Sequence, residues 1–255
     1  MLAGIAGFTL IEMILVILIL GVIGAMGGEM ITTAFQGFSD TDARMELFEE
    51  GKLALMRMER EIHHMIPNAI TNTGTTVSFG LIDVNTLHGS IFGKYEPVDD
   101  DTIHDLSNTT LADGSLISIY NTSWADFAAV GNRKIYSTTA AGADMNLNKV
   151  VIGGHSATKR FYPVKKAVRY FLDSSVLYRA EIDVTLATDF ATSLSNITPT
   201  TTPPAYSLLS HITALSFNYV PASLTRNALV RVNFTLVNKG NSLDFHKEIQ
   251  VRNVP

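Results

Sequence analysis

The chain has 255 residues, 46% of them apolar and 17% charged, with 18 glycines, 8 prolines and no cysteine. That balance excludes a disordered chain, a collagen-like repeat and a disulfide-stapled scaffold, and the length suffices for one large domain or two small ones. The formal charge of −5 argues against nucleic acid as a partner, and it is concentrated: residues 1–65 hold nine acidic and four basic side chains, the other 190 hold fifteen of each.

From Phe8 to Gly28 run 21 residues in which Glu12 is the one charged side chain, and Met13 to Gly28 holds neither a charge nor a hydrogen-bonding group. As a helix rising 1.5 Å per residue this stretch spans about 32 Å, matching the roughly 30 Å hydrocarbon core of a bilayer. A secretory signal peptide needs a basic region ahead of a shorter apolar core, and here the first Lys or Arg is Arg44. A plain anchor gains nothing from Glu12, whose carboxylate costs up to about 2.5–3.5 kcal/mol in lipid. A charge kept at that cost points to a function.

The residues Gly7-Phe8-Thr9-Leu10-Ile11-Glu12 ahead of this run resemble the class III signal of type IV pilins and of type II secretion pseudopilins. The resemblance implies a leader of residues 1–7, cleavage between Gly7 and Phe8 by a membrane prepilin peptidase, N-methylation of Phe8 and a mature chain of 248 residues. It gives Glu12 the role of an intersubunit charge that meets the Phe8 amine of a neighbouring subunit. The basic residues usual in such leaders are missing from Met1-Leu2-Ala3-Gly4-Ile5-Ala6.

After Gly28 the pattern becomes amphipathic. Leu47, Gly51, Ala54, Leu55, Met58, Ile62 and Met65 recur at three- and four-residue steps, with Glu46, Glu49, Glu50, Arg57, Arg60 and Glu61 mostly off that stripe. This predicts that residues 29–66 continue the helix, ended by Pro67, with Arg57 and Glu61 as an i,i+4 pair on it. Gly27-Gly28 is the expected bend or melted turn, since each glycine costs about 1 kcal/mol in a helix interior.

Beyond Pro67 the period becomes two. Val77, Phe79 and Leu81 alternate, as do Val168, Tyr170 and Leu172, then Leu215, Phe217 and Tyr219, then Val230, Val232, Phe234 and Leu236. Asp173-Ser174-Ser175 and Asn238-Lys239-Gly240-Asn241 separate paired runs and predict two hairpins. Residues 83–115 and 188–210 carry no periodicity and read as long loops. Residues 67–255 are thus expected to form a β-rich head, and the whole an α+β protein with one long helix packed on an antiparallel sheet.

Further resemblance lies in this region. Arg57-Met58-Glu59-Arg60-Glu61-Ile62 with Pro67-Asn68 resembles the helix end of J-type minor pseudopilins. Val168-x-Tyr170, Leu177-Tyr178-Arg179 and the closing Ile249-Gln250-Val251-Arg252-Asn253-Val254-Pro255 are similar to MshO-type minor pilins of mannose-sensitive haemagglutinin (MSHA) pili. This implies a type IV pilin-like fold. The implied partners are a prepilin peptidase, other minor pilins, the major pilin and the inner-membrane assembly platform. The implied location is the bacterial inner membrane with the head in the periplasm, then a tip-proximal place in the pilus.

Chemical motifs are sparse. Asp99-Asp100-Asp101 with His104 and Asp105 is the one dense group of hard ligands, but its spacing fits no EF-hand and reads as a solvated loop. His63 and His64 are adjacent and point about 100° apart on a helix, unable to chelate together. Gly153-Gly154-His155-Ser156 reads as a strand end turning after Val150-Val151-Ile152, not as a nucleophile site. No catalytic residue, metal ligand or cofactor is assigned, and the reading is a minor pilin that helps initiate pilus assembly. Two alternatives stand beside it: a minor pseudopilin of a type II secretion system, and a periplasmic binding module or enzyme for which the helix is only a tether.

Overall fold

The computed structural model describes residues 9–107, 109, 111–141, 144–222 and 227–251. It opens with one α-helix, α1 (Leu10–His63), of 54 residues. At 1.5 Å per residue that is about 81 Å of helix. The helix runs unbroken through Gly27-Gly28, where a bend or melted turn was expected. Thr32 and Thr41 turn their hydroxyls back onto the carbonyls of Gly28 and Gly37 at 2.9 and 2.8 Å, so the carbonyls exposed by the missing side chains gain a second partner.

Burial begins at Ala43 and follows one face through Leu47, Gly51, Ala54, Met58 and Ile62. The helix stops at His63; the amide of the next residue, His64, donates back to the Glu61 carbonyl at 3.1 Å, and the chain enters β1 (Met65–Asn72) at once. The strand therefore starts ahead of Pro67, although the sequence pattern carries the helix to 66. Pro67 sits inside β1, tolerated because β1 lies at the end of the strand order and carries an irregular register between Met65 and Ile70.

The head is antiparallel throughout. β1 pairs with β2 (Thr76–Ile82), and β2 with the 14-residue β8 (Arg160–Asp173). On its other side β8 pairs with β9 (Val176–Asp183) through Ser174-Ser175, whose φ values of +49° and +70° make the two-residue turn that right-handed strand twist favours.

Residues 83–115 are not a loop. They contain β3 (Gly93–Pro97) and β4 (Thr102–Asp105), and further along lie β5 (Leu116–Ile119), β6 (Ile135–Ala141) and β7 (Asp144–Leu147). β8 pairs with β3, β3 with β4, β4 with β7, β7 with β6, β6 with β5, and β5 again with β8. The hydrogen-bonded circuit closes on itself, so one end of the long β8 and five shorter strands surround a small core of Tyr95, Ile103, Ile117, Tyr136, Met145 and Phe161. Ring closure removes edges that four- and five-residue strands could not otherwise satisfy.

Residues 188–210 are also structured in part. A short helix, α3 (Phe190–Ser195), is capped by Asp189, and β10 (Tyr206–Leu209) extends the sheet beside β9. The other short helix, α2 (Trp124–Ala128), is capped by Ser123 and packs Phe127 against Phe190.

The last strands form a separate sheet. β11 (Ile212–Val220), β12 (Leu229–Asn238) and β13 (Asn241–Gln250) lie in that order, with a two-residue turn at Lys239 and Gly240. The expectation of one sheet against one helix is thereby corrected to two sheets. Their facing residues share a core with the helix: Val77, Phe79 and Tyr170 from one sheet, Val230, Val232 and Phe234 from the other, and Leu47, Met58 and Ile62 from α1. The protein is α+β, with the second half of α1 packed chiefly on β13 and β12 and reaching β10.

Candidate functional site

The residues singled out for function lie at the free end of α1. Leu10 to Val22 presents its large apolar side chains with 46–79% of their surface exposed, and an 18-residue window within α1 reaches a mean hydropathy of 2.6 with none of it buried. The segment is long and apolar enough to cross a membrane. Glu12 sits in the first turn, exposed, with its amide donating to the Thr9 carbonyl at 3.1 Å. The unpaired amides of a helix start favour a carboxylate there. Thr9, at the helix boundary, makes no side-chain cap. Gly7 and Phe8, the predicted cleavage and methylation residues, lie outside the described residues.

At the other end α1 is clamped to the head by charge. Glu61 accepts from the Tyr170 hydroxyl at 2.6 Å and from Arg179 Nε at 3.0 Å, and Arg57 approaches it at 3.6 Å. Arg179 reaches Glu181 through Nη1 at 2.6 Å, and Glu181 also holds Lys166. Burial alone disfavours the Arg179 charge, but hydrogen bonds to Glu61 and Glu181 more than reverse this and raise its pKa. Burial, then the Glu61 carboxylate, pushes the Tyr170 hydroxyl up, so it stays a donor. Burial opposes the Glu181 charge too, yet hydrogen bonds from Lys166 and Arg179 hold its pKa below the usual carboxylate range. Arg57 and Glu61 were legible as a helix pair. That Glu61 turns mainly to Tyr170 and Arg179, more than 100 residues away, was not, because nothing local encodes which strand passes the helix end.

The remaining candidates separate. His63 reaches Glu59 at 3.9 Å while His64 bonds the Arg60 carbonyl at 2.7 Å. Asp105 is engaged by the amides of Ser107 and Thr109, and His104 meets Asp144 at 2.6 Å. Among the described residues no group of three or more His, Asp or Glu side chains converges to hold a metal. Val150-Val151-Ile152 is not a strand: the Val151 amide goes to the Asp100 carbonyl and the Ile152 amide to the Tyr136 hydroxyl, so the segment turns across the ring of strands. His155 Nδ1 faces the Tyr95 hydroxyl at 3.2 Å, whereas Ser156 Oγ meets Thr158. Burial, chiefly, pushes Tyr95 up to about 12 and the His155 ring down.

Sequence reasoning missed two buried cations. Arg133 donates to the carbonyls of Ala128, Thr185 and Thr188 and stacks 4.7 Å over Phe190, which ties α2 to the turn before α3. Lys134 pairs with Asp126 at 2.9 Å. The adjacent Arg-Lys after a turn glycine was the only available sign. Comparison with protein-family models, with curated proteins and with solved structures finds no match to this chain.

Proposed function

We propose that this chain is a minor type IV pilin, inserted in the inner membrane as a prepilin, cut between Gly7 and Phe8, and assembled near the tip of a pilus of the MSHA kind with other minor pilins. The observation that carries the reading is Glu12, held in the first turn of a helix whose next sixteen residues are all apolar and none of them buried. An unpaired carboxylate in lipid is far more costly than one paired with an amine, so a freed Phe8 amine on a neighbouring subunit is its natural counter-charge. The same apolar surface then exchanges lipid for the helices of other subunits, while the clamp at Glu61 keeps the head attached to the moving helix.

The test has two parts. Co-expression with a prepilin peptidase is expected to yield a chain beginning at N-methylated Phe8 by mass spectrometry, and Gly7→Leu to stay uncut; an intact Met1 with the wild-type junction sinks the reading. Glu12→Val is expected to insert and be cut normally while lowering pilus number or the recruitment of partner minor pilins. Unchanged pili with that substitution would leave the helix as a tether only.

A further inference from the structure

One edge of the three-stranded sheet is open, and its surroundings specify what could fill it. The two-residue turn at Lys239-Gly240 makes Asn238 and Asn241 a hydrogen-bonded pair, so alternation along the ladder turns the amides and carbonyls of Leu243, Phe245, Lys247 and Ile249 toward β12. The Val251 amide, which bonds the Ala228 carbonyl, and the Val237 amide, which bonds the His211 carbonyl on the far side of β12, fit this phase. The backbone groups of Ser242, Asp244, His246, Glu248 and Gln250 therefore point away from β12, and among the described residues β13 pairs with no other strand.

Edges are commonly protected by outward charges, a proline or a bulge. β13 has no proline, and its ten-residue register with β12 is continuous. Its charged side chains are engaged within the chain: Asp244 accepts from Thr235 and Glu248 pairs with Arg231 on the sheet, Lys247 reaches Glu59 on α1, and His246 meets Asn233. The backbone edge is left unguarded.

A second observation lies on the helix beside it. Phe48 stacks on Phe245 with ring centres 6.2 Å apart, and Glu59 meets Lys247 at 3.0 Å, so these two positions mark the ridge of α1 that runs along β13. Met45, Lys52 and Met56 fall on the same ridge at three- and four-residue steps. Met45, Phe48 and Met56 are 52–58% exposed. A strand added to β13 would direct every second side chain onto this apolar ridge and the others outward beside Asp244 and Glu248.

We propose that the outer edge of β13 is a strand-acceptor site for an extended segment of another protein, apolar on one side and basic on the other. The site does not depend on the pilin reading. Backbone hydrogen bonds supply the pairing, the ridge of Met45, Phe48 and Met56 supplies the pocket for apolar side chains, and Asp244 with Glu248, on the face turned away from α1, selects lysine or arginine on the outer side. A second copy of β13 is a poor occupant, since pairing centred on His246 sets Asp244 opposite Glu248 twice.

The experiment uses the full chain in detergent micelles and a labelled decapeptide, Thr-Lys-Val-Arg-Val-Lys-Ile-Arg-Val-Thr, followed by fluorescence anisotropy at low salt. Binding is expected to fall about ten-fold or more when alternate peptide amides are N-methylated, and about five-fold or more when its lysines and arginines become glutamates. His246→Pro removes an outward amide that the β12 ladder does not use, and is expected to weaken binding about ten-fold while the far-ultraviolet spectrum is kept. Asp244→Lys, which leaves the backbone untouched, is expected to weaken it about three-fold. Hydrogen exchange should slow within residues 241–250 when the peptide binds. No binding, equal binding of the N-methylated or acidic peptide, or an unchanged exchange rate in 241–250 overturns the proposal, as does self-association of the chain that His246→Pro abolishes.

Discussion

Gly51 shows how a residue that weakens a helix can be required by packing. A Cβ built there would lie 2.3 Å from Phe245, whose ring is held by Phe48 on one side and Phe234 on the other. Gly51→Ala gains about 1 kcal/mol of helix propensity but forces a packed ring to move, which costs about 1–3 kcal/mol. The expected net result is a lower melting temperature, and an unchanged or higher one would show that Phe245 yields freely. At Glu61 the balance is electrostatic. Glu61→Ala strands Arg179, whose side chain is 6% exposed, with Glu181 as its remaining anion. The expected loss is about 3 kcal/mol, measured by denaturant unfolding, and combining it with Arg179→Met should recover part of that loss.

The hairpin of β12 and β13 illustrates the element scale. Val230, Val232, Phe234 and Leu236 are at most 2% exposed and face the core shared by both sheets and α1, with β12 as the middle strand. Truncation before Leu229 therefore removes one wall of that core, and the remaining head is expected to lose cooperative melting. A truncated head that melts sharply would refute this. The strands β8 and β9 carry a pH-dependent element. Because the Glu181 pKa is lower folded than unfolded, the pair with Arg179 and Lys166 contributes its full stability above the unfolded value of about 4.3 and loses it as pH falls through the folded one. Glu181→Gln should flatten the fall in melting temperature below about pH 4.5, where the wild-type carboxylate is being protonated.

At the scale of the molecule, two parts meet only through the second half of α1. Among the described residues none before Ala43 is buried, whereas Leu47 to Ile62 is built into the core. Removing residues 1–29 is thus expected to leave a soluble head whose melting temperature lies within a few degrees of that of the full chain in detergent. A large drop would show that the first half of the helix also supports the head.

Apolar run, helix stripe and both hairpins were legible in the sequence because each is local: a helix repeats every 3.6 residues, a strand every two, and a two-residue turn needs residues that accept positive φ. Gly7, Phe8 and Glu12 were singled out on the same local grounds, as a short motif at fixed spacing, and their proposed roles rest on that motif. The closed ring of β3 to β8 was not. Its strands are four or five residues long except β6 and β8, too short to show a period, and they are held by neighbours far along the chain. The division of the head into two sheets, the meeting of Glu61 with Arg179 and Tyr170, and the open edge of β13 were likewise decided only in three dimensions. Each depends on which strand lies beside which, and that choice is made by the shared core and not by any single segment.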